Sequence, residues 1–258
     1  MVELKTAAEM DRMARSGSII HELYQEMGSR IVPGVSTGEL DVFAETFIRD
    51  HEGAVPAFKG LYGFPASICA SLNDEVVHGI PSDERILEEG DIVSLDTGVL
   101  LDGWCSDSAW TFPVGEVSEG KAALLAVTQS ALDAAISASV VGNHVGDLGH
   151  AVEAVVRGTG FEIVRDLVGH GIGRKVHEEP QVPNRGTPGQ GPALRAGMTL
   201  AIEPMISAGS WRIRTLPDRW TMSTADGAAS AHFEHTVGVT HEGPRVLTGA
   251  PVSLEGRL

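Results

Sequence analysis

The sequence predicts an α+β protein built from two copies of one helix–strand unit, and three observations carry that reading. Residues 33–49 (PGVSTGELDVFAETFIR) and 141–157 (VGNHVGDLGHAVEAVVR) match at an offset of 108, sharing Gly34/Gly142, Gly38/Gly146, Leu40/Leu148, Glu45/Glu153 and Arg49/Arg157. Residues 87–96 (LEEGDIVSLD) resemble residues 194–203 (LRAGMTLAIE) at an offset of 107, and each run ends in an acid, Asp96 or Glu203. Residues 91–112 (DIVSLDTGVLLDGWCSDSAWTF) set two apolar runs around Asp102-Gly103, a strong signal for a two-residue hairpin turn. Two matches in one order at nearly one offset imply pseudo-symmetric halves, about 1–115 and 116–258, of a single domain spanning 1–258. Asp96 and Glu203 then occupy equivalent points on either side of a shared cleft.

The elements follow in order. Thr6 and Glu9 form a capping box ahead of Met10, Met13, Ile20, Leu23 and Met27 at helical spacing, which predicts a helix over 7–30. Its methionines are expected in the core. Ser36 and Glu39 form a second capping box, opening a helix that ends near Gly53. A Gly/Pro/aromatic stretch, residues 57–65 (AFKGLYGFP), leads to a strand at 67–72 and then to the hairpin. Ser118 caps a helix whose face is Leu124, Leu125, Leu132 and Ile136, and residues 145–157 form a shorter one. Strands are expected at 199–206 and 231–240, with a turn near Asp226-Gly227 before the second.

Composition narrows the function. A net charge of −16 argues against a phosphate-binding surface, so no nucleic-acid partner is expected. It leaves room for an acidic site that holds cations. No run reaches the roughly 18 apolar residues of a membrane span, and the charged N-terminus shows no secretory signal. Two cysteines without metal-type spacing, Cys69 and Cys105, suit a reducing cytoplasm. No heptad seam is present, so a monomer is the default.

A two-residue turn at Asp102-Gly103 pairs residues whose numbers sum to 205. Asp96 then faces Ala109, and Asp107 becomes its diagonal neighbour on the same sheet face. Carboxylates held that close raise each other's pKa unless a cation intervenes. On the hairpin alone, two solvated aspartates explain the pattern as well as a metal does. Further along, Glu203 and Glu234 lie at interior strand positions, where acids are uncommon unless paired or bound to metal. Glu234 shares a face with His232 and Thr236, away from Ala231, Phe233, Val237 and Val239. His170 sits between Gly169 and Gly171, where a ligand has close access, although a lone loop histidine is more often structural. Together, Asp96, Asp107, His170, Glu203 and Glu234 give an oxygen-rich set without thiolate, suited to two divalent cations (Co, Mn, Fe(II) or Zn). The residues alone therefore point to a dinuclear metallohydrolase.

With these residues in view, the chain resembles the type I methionine aminopeptidases of the pita-bread metallopeptidase family, over nearly its whole length. The motifs are residues 71–81 (SLNDEVVHGIP), 169–173 (GHGIG), 177–180 (HEEP), 202–205 (IEPM) and 233–236 (FEHT). The resemblance implies a curved antiparallel sheet flanked by helices. It implies that Asp96 and Asp107 hold one metal, that Asp107, His170 and Glu203 hold the other, and that Glu234 bridges both. Only 31 positions separate Glu203 from Glu234, leaving no room for the insertion of the type II enzymes.

The implied activity is removal of N-terminal methionine from peptides and nascent chains when the second residue is small. His177 would stabilise the oxyanion with the metals, His78 would sit near the scissile amide nitrogen or the substrate terminus, and Glu203 would shuttle the proton. That substrate would allow a transient contact with the ribosome, on which the residues themselves are silent. The methionine pocket would comprise Phe58, Leu61, Phe64, Cys69 and Trp220, alongside His78 and His177. Here the chain departs from its relatives: Leu61 replaces an expected tyrosine, Phe58 occupies another pocket position, and Val176 replaces an aromatic before His177. A shifted preference at the second residue is expected. The competing readings are a proline-specific pita-bread aminopeptidase and an inactive pita-bread module that binds protein.

Overall fold

The computed structural model describes residues 2–249; Met1 and residues 250–258 of the expected 1–258 domain lie outside the described residues. Three helices begin where the capping signals put them, α1 (Ala7–Gly28), α2 (Thr37–Arg49) and α3 (Glu119–Ala138), and the shorter one expected at 145–157 is α4 (Val145–Val156). In both predicted capping boxes the side chains bond reciprocally. Thr6 Oγ1 accepts from Glu9 N and Ser36 Oγ from Glu39 N, while each glutamate accepts from its partner's backbone N–H. The helices stop short of the predicted ends, α1 at Gly28 and α2 at Arg49, because backbone bonds close each last turn first. No helix among the described residues is long and apolar enough to cross a membrane.

The duplication is visible in backbone hydrogen bonds. Gly34 N donates to Leu87 O and Gly142 N to Leu194 O, while Leu87 N donates to Val35 O and Leu194 N to Asn143 O. These partners stand 108 or 107 positions apart, as the repeat requires. The N-caps repeat as well: Glu39 Oε2 accepts from Ser36 N, and Asp147 Oδ2 from His144 N at 2.6 Å.

Every strand pair among the described residues is antiparallel, and each half centres on the strand that carries Asp96 or leads directly into Glu203. In the first half, Ile92–Leu101 lies between Trp104–Pro113 and Cys69–Leu72. In the second, Thr199–Ile202 lies between His235–Thr240 and Val168–Gly171. The hairpin register is as derived, with Leu101 opposite Trp104 and Asp96 opposite Ala109. Asp102 and Gly103 both have positive φ, at 51° and 77°, as a type I′ turn requires.

Two expected strands are broken. The run predicted at 199–206 divides into Thr199–Ile202 and Met205–Ser207, and that at 231–240 into Ser230–His232 and His235–Thr240. Ile202 pairs with His235 in a five-stranded sheet, whereas Met205 pairs with His232 in a separate three-stranded one. Both chains therefore change sheets together, at Glu203-Pro204 and at Phe233-Glu234. Pro204 has no N–H to continue the first ladder. The strand expected at 67–72 begins at Cys69, because the N–H groups of Ser67 and Ile68 both go to Asp41 Oδ1.

One apolar core runs through both halves, from Ile20 and Leu23 of α1 to Leu132 of α3, Phe233 and Val237. Met10, Met13 and Met27 are buried as expected. Tyr24, 1% exposed, ties α1 to the hairpin: its hydroxyl lies 3.0 Å from Leu95 O and 2.5 Å from Ser108 O, each next to a hairpin aspartate. Tyr24→Phe removes the proton those carbonyls share and should lower unfolding free energy by about 1–2 kcal/mol. A denaturant midpoint unchanged from the parent would contradict that placement.

Candidate metal centre

The hairpin brings Asp96 and Asp107 to one face as diagonal neighbours, with Gly98 opposite Asp107. Gly98 must be a glycine here: a Cβ would fall 2.7 Å from the ring of Phe58, which packs over that spot. Glu203 and Glu234 lie at the corner where the two second-half strands change sheets. His170 comes from the strand beside it. The glycines flanking His170 also serve strand packing, and Gly169 lines a cavity beside it. A Cβ on Gly169 would lie 2.3 Å from Ala201 O, and one on Gly171 2.1 Å from Glu179 O.

The two halves are joined across this cluster by hydroxyls. Thr236 Oγ1 accepts from Asp107 N and donates to Asp107 O, and Ser108 Oγ donates to Glu234 O. Glu234 N donates to Ala109 O at 2.8 Å. Asp107 and Glu234 are thus fixed against each other by backbone, with their carboxylates still free.

Asp107, His170 and Glu234 each offer a ligand atom, all within 4.8 Å of one another. Glu203 Oε1 is 3.5 Å from His170 Nε2. His170 Nδ1 bonds Gly171 O at 2.9 Å, which leaves Nε2 turned toward the acids. Burial, with His177 nearby, depresses its pKa to about 4, so the imidazole is neutral at pH 7 and its lone pair can bind a cation. Burial pushes Asp107 up to about 7. Asp96, Glu203 and Glu234 go well above their ordinary values, first through burial and then through repulsion from the neighbouring carboxylates.

Asp96 Oδ1, Asp107 Oδ1 and Glu234 Oε1 are buried without a hydrogen-bond partner among the described residues. No Lys or Arg lines either cavity that opens onto the cluster. Buried, orphaned oxygens beside a neutral imidazole fit a divalent cation, and no Lys or Arg among the described cavity-lining residues offsets their charge.

The first cavity, about 240 Å³, has these five residues as its floor and Phe58, Leu61, Phe64, Cys69 and Trp220 among its walls. Phe64 meets Trp220 edge-on with ring centroids 5.1 Å apart. Burial, reinforced by Asp96 and Asp107, drives the Cys69 thiol well above its ordinary pKa, so it is an apolar wall and not a nucleophile. His78 and His177 stand at the edge, both held below the usual imidazole range by burial, and His78 also by His177. A second cavity of about 450 Å³ shares His78, Asp96, His170, His177 and Glu203 with the first and continues past Leu167, Met205 and His232.

All the residues singled out from the sequence as ligands, catalytic groups or pocket wall line the first cavity. Val176 does not; it packs behind the wall against the cluster that includes Phe58 and Ile172. Two lining residues escaped the sequence reading. Tyr62 lines the first cavity and stacks on His177, and its only signal was a place between two glycines in an aromatic loop. His232 is 1% exposed, with Nε2 3.7 Å from Glu203 Oε2 and neither ring nitrogen hydrogen-bonded among the described residues. Its sequence signal was shared parity with Glu234, two residues on.

Comparison with known proteins agrees with this geometry. Metallopeptidase family M24 matches residues 11–241. The chain is 50% identical to the methionine aminopeptidase of Clostridium perfringens, over 96% of this chain and 99% of that one. It is 48% identical to methionine aminopeptidase 1 of Mycobacterium tuberculosis, over 96% and 95% of the two chains. The crystal structure of methionine aminopeptidase from Thermotoga maritima superposes with a TM-score of 0.94 at 42% identity, covering 97% of this chain and all of that one. A floor of metal-fitting acids, an apolar pocket above it and near-complete coverage of these relatives lead to one conclusion: the chain belongs to metallopeptidase family M24, in its pita-bread fold, among the methionine aminopeptidases.

Proposed function

We propose that this chain is a metal-dependent aminopeptidase that removes N-terminal methionine from peptides and nascent chains whose second residue is small. The observation that carries this reading is the cavity of about 240 Å³, apolar on its walls and acidic on its floor. An unbranched thioether side chain suits walls of Phe, Leu, Cys and Trp. A peptide seated with that side chain in the first cavity would place its first peptide bond over the carboxylates and its following residues toward the second cavity.

Asp96 and Asp107 are proposed to hold one divalent cation and Asp107, His170 and Glu203 another, with Glu234 between them. Co, Mn, Fe(II) and Zn all suit that donor set. Such cations, when bound, bring the acidity of water toward neutrality and polarise a carbonyl. The chain's own groups do the remainder. His177 faces the scissile carbonyl as a hydrogen-bond donor to the developing oxyanion. His78, half-buried with φ +60°, sits within reach of the amide nitrogen. Glu203 accepts a proton from the attacking water and returns it to the leaving amine. Leu61 and Phe58 reshape the pocket, and a shifted preference at the second residue is the proposed result. The wider reading is one catalytic domain acting as a monomer in the cytoplasm, in transient contact with ribosomes that present its substrates.

Two experiments test this. The protein loaded with Mn, Fe(II) or Co should release methionine from Met-Ala-Ser, leave Xaa-Pro dipeptides intact, and lose turnover on chelation. Methionine release that EDTA does not abolish would refute the metal requirement, and faster cleavage of the Xaa-Pro set would favour a proline-specific enzyme. Asp107→Asn keeps the shape but removes a shared ligand, so metal binding should fail and turnover fall by about 10³-fold or more. Circular dichroism should stay unchanged, and turnover near the parent's would overturn the ligand assignment.

A further inference from the structure

We infer that Tyr62 is a positioning residue for His177, acting through the stack of its ring on the imidazole; this rests on the role proposed above for His177. Tyr62 is 75% exposed, more than any other large hydrophobic side chain among the described residues. Burial therefore does not account for its place. Its backbone is left-handed, at φ 51° and ψ 16°, a conformation unfavourable for any residue with a Cβ. Asn, Asp and Gly enter that region most readily; an aromatic ring there is held by something.

The loop around it is closed and not slack. Leu61 N donates to Phe58 O, Gly63 N to Gly60 O, Phe64 N to Leu61 O, and Gly60 N to Phe64 O at 2.8 Å. Gly60 and Gly63 have positive φ, 86° and 89°. This winding sends Phe58 and Phe64 into the buried wall and swings Tyr62 over the rim. There its ring lies over His177, with centroids 5.8 Å apart and planes at 26°. His177 in turn meets His170 edge-on at 4.5 Å and 62°. Among the described residues no hydrogen bond reaches the imidazole of His177, so these two ring contacts define its plane.

Strained backbone that gains no burial gathers where function requires it. Of the five non-glycine residues with positive φ among the described residues, Tyr62 and His78 line the catalytic cavity. The ring of Tyr62 limits rotation of His177 about its side-chain torsions and keeps its N–H directed at the scissile carbonyl oxygen. The hydroxyl takes no part, since it has no hydrogen-bond partner among the described residues. Binding of methionine in the pocket below is left alone, so the effect falls on kcat and not on KM.

The test compares Tyr62→Gly, Tyr62→Ala and Tyr62→Phe in the manganese-loaded full chain, measuring kcat and KM on Met-Ala-Ser together with Tm. The Gly and Ala variants should lose roughly three- to tenfold in kcat, with KM within about twofold and the Phe variant matching the parent. Tm of the Gly variant should equal or exceed the parent's, because glycine relieves the left-handed backbone. Parental kcat in the Gly and Ala variants, a loss confined to KM, a Phe variant as slow as the Ala variant, or a lowered Tm in the Gly variant would each overturn the inference. A parent chain that releases no methionine when loaded with metal overturns the aminopeptidase reading itself, and the inference with it.

Discussion

The architecture is arranged around mutual repulsion. Asp96, Asp107, Glu203 and Glu234 converge where no Lys or Arg lines the adjoining cavities, and three of their oxygens lack any protein partner among the described residues. Two ionised carboxylates about 4 Å apart repel by about 4 kcal/mol even at an effective dielectric near 20. The protein answers with protonation when alone, as the upward-shifted carboxyls show, and with divalent cations when they are supplied. The neutral imidazole of His170 belongs to the same logic, because it adds a ligand without adding charge.

Holding four repelling groups in register demands a stiff frame, and the duplication provides it. Each half centres on one strand that carries or leads into an acid, with a neighbouring strand on each side. The halves meet through backbone and hydroxyl bonds, Glu234 N to Ala109 O and Thr236 Oγ1 to Asp107, and not through the acids themselves. The paired strands that change sheets at Glu203-Pro204 and Phe233-Glu234 set two glutamates at one corner. The pairing keeps one register across the change, with Ile202 opposite His235 and Met205 opposite His232.

Much of this is written locally in the sequence. Asp102-Gly103 sets the hairpin register because a two-residue turn leaves one pairing, and both residues adopt the positive φ that turn needs. Capping boxes at Thr6 and Ser36 mark helix starts because their bonds close within four residues. Features that depend on distant partners were not legible. Alternation continues through residues 203 and 233, so the change of sheet shows only in Pro204, and only once the second strand is seen to break beside it. Gly169 and Gly171 are small because carbonyls of Ala201 and Glu179, far along the chain, pass close by. Val176 adjoins His177 yet faces the core, and Tyr62 looks like loop packing until the fold sets His177 beneath it.

The central claim concerns charge, and calorimetry reads it directly. At pH 7 the metal-free cluster retains protons, because its carboxyls titrate at about 7 (Asp107) or are shifted well above their ordinary values. A cation must displace those protons to bind. Titration of manganese into the metal-free protein, in buffers of different ionisation enthalpy, should therefore show a net release of about one proton or more per chain. Heats of binding that are the same in every buffer, meaning that no proton leaves, would contradict the account.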